Sequence, residues 1–226
     1  MKALAVDLAV TKLTVAAKND DHTVTASYDI GMKQSETLVP AIEYVLEKAG
    51  LEKNKLDFLA ITNGPGSFTG LRLAFAALKA IELAFNIPLY GISTLDCYSE
   101  CYRALPFTVV SIMDARKDKF YAKIFDGEKT LLDEGDYEPE EIISALNSVE
   151  NGKDILVCGS DAEMFCTQEK DKICGKKVYF QPFCINTTDM LFSIAGKMHE
   201  EKNTDLNDYD GPVYLRASEA EEKIAK

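Results

Sequence analysis

One order of periodicities runs along this chain twice, and that repetition limits the folds open to it more than any single residue does. Near the start, Leu4 to Val6, Leu13 to Ala17 and Thr23 to Tyr28 have the composition of short strands joined by polar turns. Leu38, Ile42, Val45 and Ala49 follow at helical spacing, with Gly50 to stop the helix. A strand is expected from Phe58 to Thr62, a helix from Phe68 to Phe85, a strand from Leu89 to Ile92 and a helix from Thr94 onward. From Leu105 the order begins again, with strands at Val109 to Met113, Phe120 to Phe125 and a short Leu131 to Leu132. A helix opened by Pro139 carries Ile142, Ile143, Leu146 and Val149 and ends near Gly152. Strand Ile155 to Cys158, a helix from Ala162 to about Gln168, strand Val178 to Phe180 and a helix capped by Thr187 or Thr188, with Leu191, Ile194, Ala195 and Met198 on one side, complete it.

Each series is βββαβαβα. Three meandering strands followed by βαβα make a mixed sheet, because its parallel strands need crossover helices. The expected class is therefore α/β, two mixed sheets flanked by helices, divided into an N-terminal half at 1–104 and a C-terminal half at 105–226. That is a duplicated ribonuclease H-like arrangement, as in the actin, sugar kinase and Hsp70 superfamily, whose ligands lie in a cleft.

Composition narrows the functions. With 25 Lys plus Arg against 37 Asp plus Glu, the net charge is −12. Such a chain is not expected to grip a phosphate backbone directly, since that affinity comes from basic side chains displacing counterions. The two histidines, His22 and His199, have no Cys, His or carboxylate at ligand spacing, so no metal site is expected. The six cysteines, Cys97, Cys101, Cys158, Cys166, Cys174 and Cys184, form no CxxC pair, and no secretory signal pattern precedes them. They are expected to be reduced thiols in the cytoplasm, about four in five of them buried as small hydrophobes. The longest apolar stretch, Leu71 to Phe85, is interrupted by Arg72, Lys79 and Glu82 and is too short for a membrane span.

In the superfamily the first hairpin turn wraps a phosphate. Here it is Asp7, Leu8, Ala9, Val10, Thr11, Lys12. Asp7 has the chemistry to orient a magnesium-bound water and Thr11 to donate to a phosphate, but Ala9 stands where Gly would best admit the ligand. A hairpin turn with a capping Asp is the alternative. The corresponding turn at Asp114, Ala115, Arg116, Lys117, Asp118 has no glycine, and the strand ending at Cys158 is followed by one glycine, Gly159, where an adenosine-contacting turn needs two. The acidic stretch 126–141, with eight carboxylates and one Lys, is either a partner surface or a solvated face.

The most specific run is Gly64, Pro65, Gly66, Ser67, Phe68, Thr69, Gly70, Leu71, Arg72, between a strand and a helix. It is neither a Walker motif nor GxGxxG. Its glycines suit a tight turn and close packing, and Ser67 or Thr69 suits a helix cap. In the helix that follows, the three charged residues occupy a narrow stripe at about 100° per residue, so the remaining apolar arc is expected to be buried, under neighbouring helices or a partner.

At these residues the chain resembles the TsaB (YeaZ-like) family. The resemblance is carried by Leu4, Ala5, Val6, Asp7; Ser35, Glu36, Leu38, Pro40; the run from Gly64 to Arg72; Ile87, Pro88, Leu89, Gly91, Ser93, Leu95; Asp114, Ala115, Arg116 with Tyr121; and Pro212, Tyr214, Leu215, Arg216 with Glu219 and Ala220. Gln34 stands where the family often has His.

The resemblance implies a non-catalytic subunit that pairs with a TsaD-type catalytic subunit and works with a TsaE-type ATPase. Together these place threonylcarbamoyl on the adenosine next to the anticodon. This chain would then meet tRNA only through the complex, bind no cofactor tightly, and leave ATP or ADP and metal to its partners. The catalytic subunits bind metal through HxxxH; here the corresponding positions are Thr94 and Tyr98. Docking is expected on the helices from Ser35 to Gly50 and from Phe68 to Phe85, through Leu38, Ile42, Val45, Leu71, Phe75, Leu78 and Glu82, with a homodimer through the same face when the chain is alone. Two rival readings are a small-molecule or acetate kinase using Asp7 and Asp114 around Mg-ATP, and a metallopeptidase.

Overall fold

The computed structural model describes residues 1–181, 186–207 and 209–216. The first series comprises β1 (Lys2–Asp7), β2 (Lys12–Asn19), β3 (His22–Asp29), α1 (Gln34–Ala49), β4 (Phe58–Gly64), α2 (Phe68–Phe85), β5 (Leu89–Ser93) and the short α3 (Thr94–Ser99). The second comprises β6 (Phe107–Arg116), β7 (Lys119–Asp126), β8 (Lys129–Tyr137), α4 (Pro139–Ser148), β9 (Asp154–Cys158), α5 (Ala162–Glu169), β10 (Val178–Phe180) and α6 (Thr187–Glu200). Both sheets have one topology, β3-β2-β1-β4-β5 and β8-β7-β6-β9-β10. The meander strands pair antiparallel and the crossover strands parallel. This is the duplicated ribonuclease H-like fold that the element order predicts.

The boundary falls elsewhere than between 104 and 105. The chain forms two compact units, Met1–Cys97 with Asn186–Val213, and Tyr98–Ile185 with Tyr214–Lys226. Helix α6 accounts for the difference. Its stripe of Leu191, Phe192 and Ala195 packs on Ala3, Ala5, Phe58 and Ala60 of the first sheet. Successive residues of a strand face opposite sides, so β1 offers Ala3 and Ala5 to α6 and Leu4 and Val6 to α1 and α2. Alanines on the α6 side leave room for Phe192 and Phe58, and burying a side chain of that size stabilises by about 1.5–3 kcal/mol.

The second unit closes its own core, with Val110, Ile112, Phe120 and Ile124 against Ile142, Leu146 and Phe165. Strand β8 is longer than Leu131 to Leu132, because its antiparallel pairing with β7 continues from Lys129 opposite Asp126 to Tyr137 opposite Phe120, and cations from elsewhere in the unit meet the acidic residues around it. Lys153 pairs with Asp126, Arg216 with Asp136 and Lys119 with Glu138. The acidic stretch is thus partly neutralised and not one continuous negative face.

Of the five described cysteines, Cys97, Cys158 and Cys166 are buried and Cys101 and Cys174 exposed, a smaller buried share than composition suggested. Cys184 lies outside the described residues, as do Glu219 and Ala220. Among the described residues no helix is long and apolar enough to cross a membrane.

Candidate functional site

The Gly64 to Arg72 run is a packing device built against the first hairpin turn. The Ser67 side chain accepts a hydrogen bond from the Gly70 N–H, which makes Ser67, not Thr69, the cap of α2. The Ser67 N–H donates to the Ala9 carbonyl at 2.7 Å. A Cβ on Gly66 would lie 2.5 Å from that same oxygen, and one on Gly70 would lie 2.3 Å from the Leu8 carbonyl. The start of α2 therefore lies directly on Leu8 and Ala9, where the superfamily's phosphate turn would be.

Asp7 is buried, and its carboxylate is occupied by its own unit. Oδ1 accepts from the Ala9 N–H at 2.9 Å and the Thr62 hydroxyl at 2.8 Å, and Oδ2 accepts from the Thr187 hydroxyl. Thr187 is free to do this because Asn186, and neither threonine, caps α6. Thr11 is exposed, and the Gln34 amide donates to its carbonyl at 2.7 Å, tying α1 to the hairpin tip.

In the second unit Asp114 folds back on its own turn. Its Oδ1 accepts the Arg116 N–H at 2.7 Å and its Oδ2 lies 3.2 Å from the Arg116 guanidinium. Arg116, Lys117 and Asp118 are all left-handed, a conformation that costs non-glycine residues of order 1 kcal/mol each. Arg216 stabilises this turn. It forks onto both Asp136 oxygens at 2.7 Å and donates to the Ala115 carbonyl at 2.7 Å. Burial pushes the neighbouring Tyr121 phenol up, with Arg216 acting against and Asp136 with that shift. Gly159, at φ +116°, is another packing glycine, since a Cβ would lie 2.0 Å from the Ile112 carbonyl.

The seven residues expected to meet a partner, Leu38, Ile42, Val45, Leu71, Phe75, Leu78 and Glu82, are instead buried inside the first unit. Two of the three charged residues of α2, Lys79 and Glu82, do not point outward. Lys79 pairs with Glu82 at 2.8 Å and donates to the Asn207 carbonyl at 2.6 Å, so the segment after α6 covers that flank. Arg72 lies over the Phe68 ring at 3.8 Å. The surface that α2 leaves open is Ala76, Ala80, Leu83 and Ala84, with Leu83 two-thirds exposed, the exposed Arg72 at its edge and Leu73 half-buried against the core. A wheel drawn at 100° per residue places those four open apolar residues on the back of the helix, a signal present in the sequence once the stripe is not assumed to face solvent.

Thr94 is fully buried and Tyr98 nearly so, and neither offers an imidazole. Among the described residues no group of three or more His, Cys, Asp or Glu is placed to hold a metal. The residues present therefore do not fit the metal that HxxxH holds.

A family model described as TsaD, tRNA N6-adenosine threonylcarbamoyltransferase, matches residues 30–151, more than half of the chain. The chain belongs to this family. Within it the chain is TsaB/YeaZ-like. It is 27% identical over 235 residues to the tRNA threonylcarbamoyladenosine biosynthesis protein TsaB of Escherichia coli, covering 99% of this chain and 98% of that one. It is 25% identical over 229 residues to TsaB of Bacillus subtilis, covering 99% and 97%. In fold it resembles YeaZ from Pseudomonas aeruginosa, with a TM-score of 0.77 at 22% identity over 95% of this chain and 99% of that one.

Many of the residues that carry the TsaB resemblance thus have packing roles. The glycines of the 64–72 run admit Leu8 and Ala9, and Gly91 admits Leu206, whose Cδ1 would lie 3.0 Å from a Cβ there. Arg216 binds the turn of Asp114, Ala115 and Arg116.

Proposed function

We propose that this chain serves tRNA threonylcarbamoyladenosine biosynthesis as a non-catalytic subunit that docks a homologous TsaD-type transferase subunit through the open face of α2. The similarity to two TsaB proteins over nearly their whole length supports the pathway. One observation carries the docking: α2 presents Ala76, Ala80, Leu83 and Ala84 to solvent as an apolar row, with the exposed Arg72 at its edge. A row of small residues lets a second helix approach to about 8–10 Å, and α1 beside it supplies the rest of a helical bundle.

The absence of an imidazole at Thr94 and Tyr98 supports the silent role, because those positions have no ligand to offer a metal. In this reading ATP or ADP, metal and the TsaE-type ATPase belong to the partners, tRNA is met through the complex, and the chain works in the cytoplasm. Alone, it self-associates through the same face, since the partner surface is homologous.

The test is light scattering on a sizing column, with the chain alone and mixed with its TsaD-type partner. Ala80→Glu and Leu83→Glu sit on the open face and leave the fold intact, so both should abolish the mixed complex and the self-association. Complex formation at wild-type strength by both variants would rule out this face. Transfer of threonylcarbamoyl to tRNA by the isolated chain would overturn the silent role.

A further inference from the structure

Where α1 and α2 both terminate lies a groove of about 430 Å³ lined by Glu43, Leu46, Glu47, Leu51, Glu52, Lys53, Asn54 and Phe85. Its floor is apolar. Leu46 and Leu51 are buried, and Phe85, the last residue of α2, is 42% exposed there. Its rim is acidic, with three carboxylates against the one ammonium of Lys53.

The rim ion pairs leave that imbalance in place. Lys53 lies 3.6 Å from Glu43, and Lys48 lies 3.1 Å from Glu47, with both carboxylates mostly in solvent, where such pairs are weak. The backbone adds to the same sign. Gly50 in the left-handed conformation ends α1, with its N–H and that of Leu51 turned back to carbonyls of the last turn, and Asn86 ends α2 likewise. Two helix C-termini, each equivalent to about half a negative charge, thus converge on one apolar slot. On the other side of the α2 terminus, Glu82 and Asp205 line a second cavity of about 730 Å³ that also includes Asn86, Asn207 and Tyr209.

We infer that this groove receives an apolar side chain of the docked protein that is flanked by Lys or Arg, so that one end of the α2 interface selects its partner by charge. The inference rests on the docking reading and adds the partner's chemistry to it. An apolar anchor in a pocket supplies residence time, and the surrounding carboxylates steer encounter. A second copy of this chain would bring its own acidic groove, so the groove favours the basic partner over self-association.

The experiment measures association and dissociation rates of the full chain with the TsaD-type subunit across a salt series. The triple variant Glu43→Lys, Glu47→Lys, Glu52→Lys should lower the association rate about tenfold or more at low salt and flatten its salt dependence. A control, Glu128→Lys, Glu150→Lys, Glu163→Lys, makes the same change in net charge on exposed residues of the second unit and should have a much smaller effect. Phe85→Ala should raise the dissociation rate. Leu83→Glu reports on the docking face separately.

If the groove variants bind as wild type while Leu83→Glu abolishes binding, the groove inference fails and the docking face stands. If the control slows association as much as the groove triple, the effect is global charge and the inference fails. If Leu83→Glu binds normally while the groove triple does not, the groove is itself the docking site and the open-face reading fails.

Discussion

The hydroxyl of Thr187 donates a hydrogen bond to the carboxylate of Asp7, across 180 residues of sequence. It joins the first residue of α6 to the last residue of β1. That contact explains why the C-terminal helix belongs with the first sheet. It also gives Asp7 a structural role: with Ala9 and Thr62 on Oδ1 and Thr187 on Oδ2, both oxygens are satisfied within one unit.

Thr187→Val should therefore destabilise the protein by about 1–3 kcal/mol, the cost of leaving a buried charged acceptor without its donor. Thr187→Ser should recover most of it, because the hydroxyl is kept. Urea denaturation followed by circular dichroism gives both values. A Val variant as stable as the wild type would mean that the carboxylate has no need of this donor.

The glycines divide into those that must lack a Cβ and those that need not. Gly66→Ala places a methyl 2.5 Å from the Ala9 carbonyl, against backbone that has nowhere to move. Overpacking of this kind costs about 1–3 kcal/mol. Gly196, within α6, has only the flexible end of Met1 nearby, at 3.4 Å. Gly196→Ala should stabilise by about 0.4–1 kcal/mol, since alanine restricts the unfolded chain and favours helix. The opposite signs of the two substitutions are read directly from their thermal midpoints.

The strands and helices were legible because each buries a face and shows it in its period, as Leu38, Ile42 and Val45 do in α1. The same logic misplaced the open face of α2, for apolar spacing reports burial without saying which surface does the burying. Leu71, Phe75 and Leu78 are covered by the chain's own sheet, whereas Ala76, Ala80 and Leu83 are not. Lys79 and Glu82 seemed a solvent stripe because the segment that covers them, through the Asn207 carbonyl, comes from the far end of the chain. Contacts of that sequence separation, like Thr187 with Asp7 or Arg216 with Asp136, leave no local period to find. The domain boundary was missed for the same reason, since the helical stripe of α6 does not say which sheet it will meet.

The thiols should differ widely in reactivity. Burial raises Cys166 to about 11, so at pH 8 only about one part in a thousand is thiolate, and it is sterically covered as well. Burial pushes the Cys158 thiol higher still, with Cys101 acting in the same sense. Cys101 is exposed, yet desolvation raises its thiol too. Mass-spectrometric mapping after brief iodoacetamide treatment of the native protein should find Cys174 labelled ahead of Cys101, and Cys97, Cys158 and Cys166 labelled only in denaturant. Rapid native labelling of Cys166 would contradict its burial.

The pair of Asp126 and Lys153 should make part of the second unit's stability depend on acid. The hydrogen bond from Lys153, with a second from Asn151 at 3.2 Å, holds the Asp126 carboxyl below its ordinary value. A group depressed in the folded state stabilises fully above its unfolded pKa, near 4, and loses that contribution as pH falls through the lower folded value. The wild type should thus melt above Asp126→Asn at pH 6. The gap should hold down to about pH 4 and close below it, where the folded carboxylate takes up its proton. Lys153 contributes from the other side: Lys153→Met should remove most of the gap at pH 6 as well, because the depression comes first from its ammonium. Thermal melts of the three proteins at half-unit steps from pH 6 to pH 2.5, at constant ionic strength, measure this, and a gap that stays constant across the range would show that Asp126 titrates alike in folded and unfolded chains.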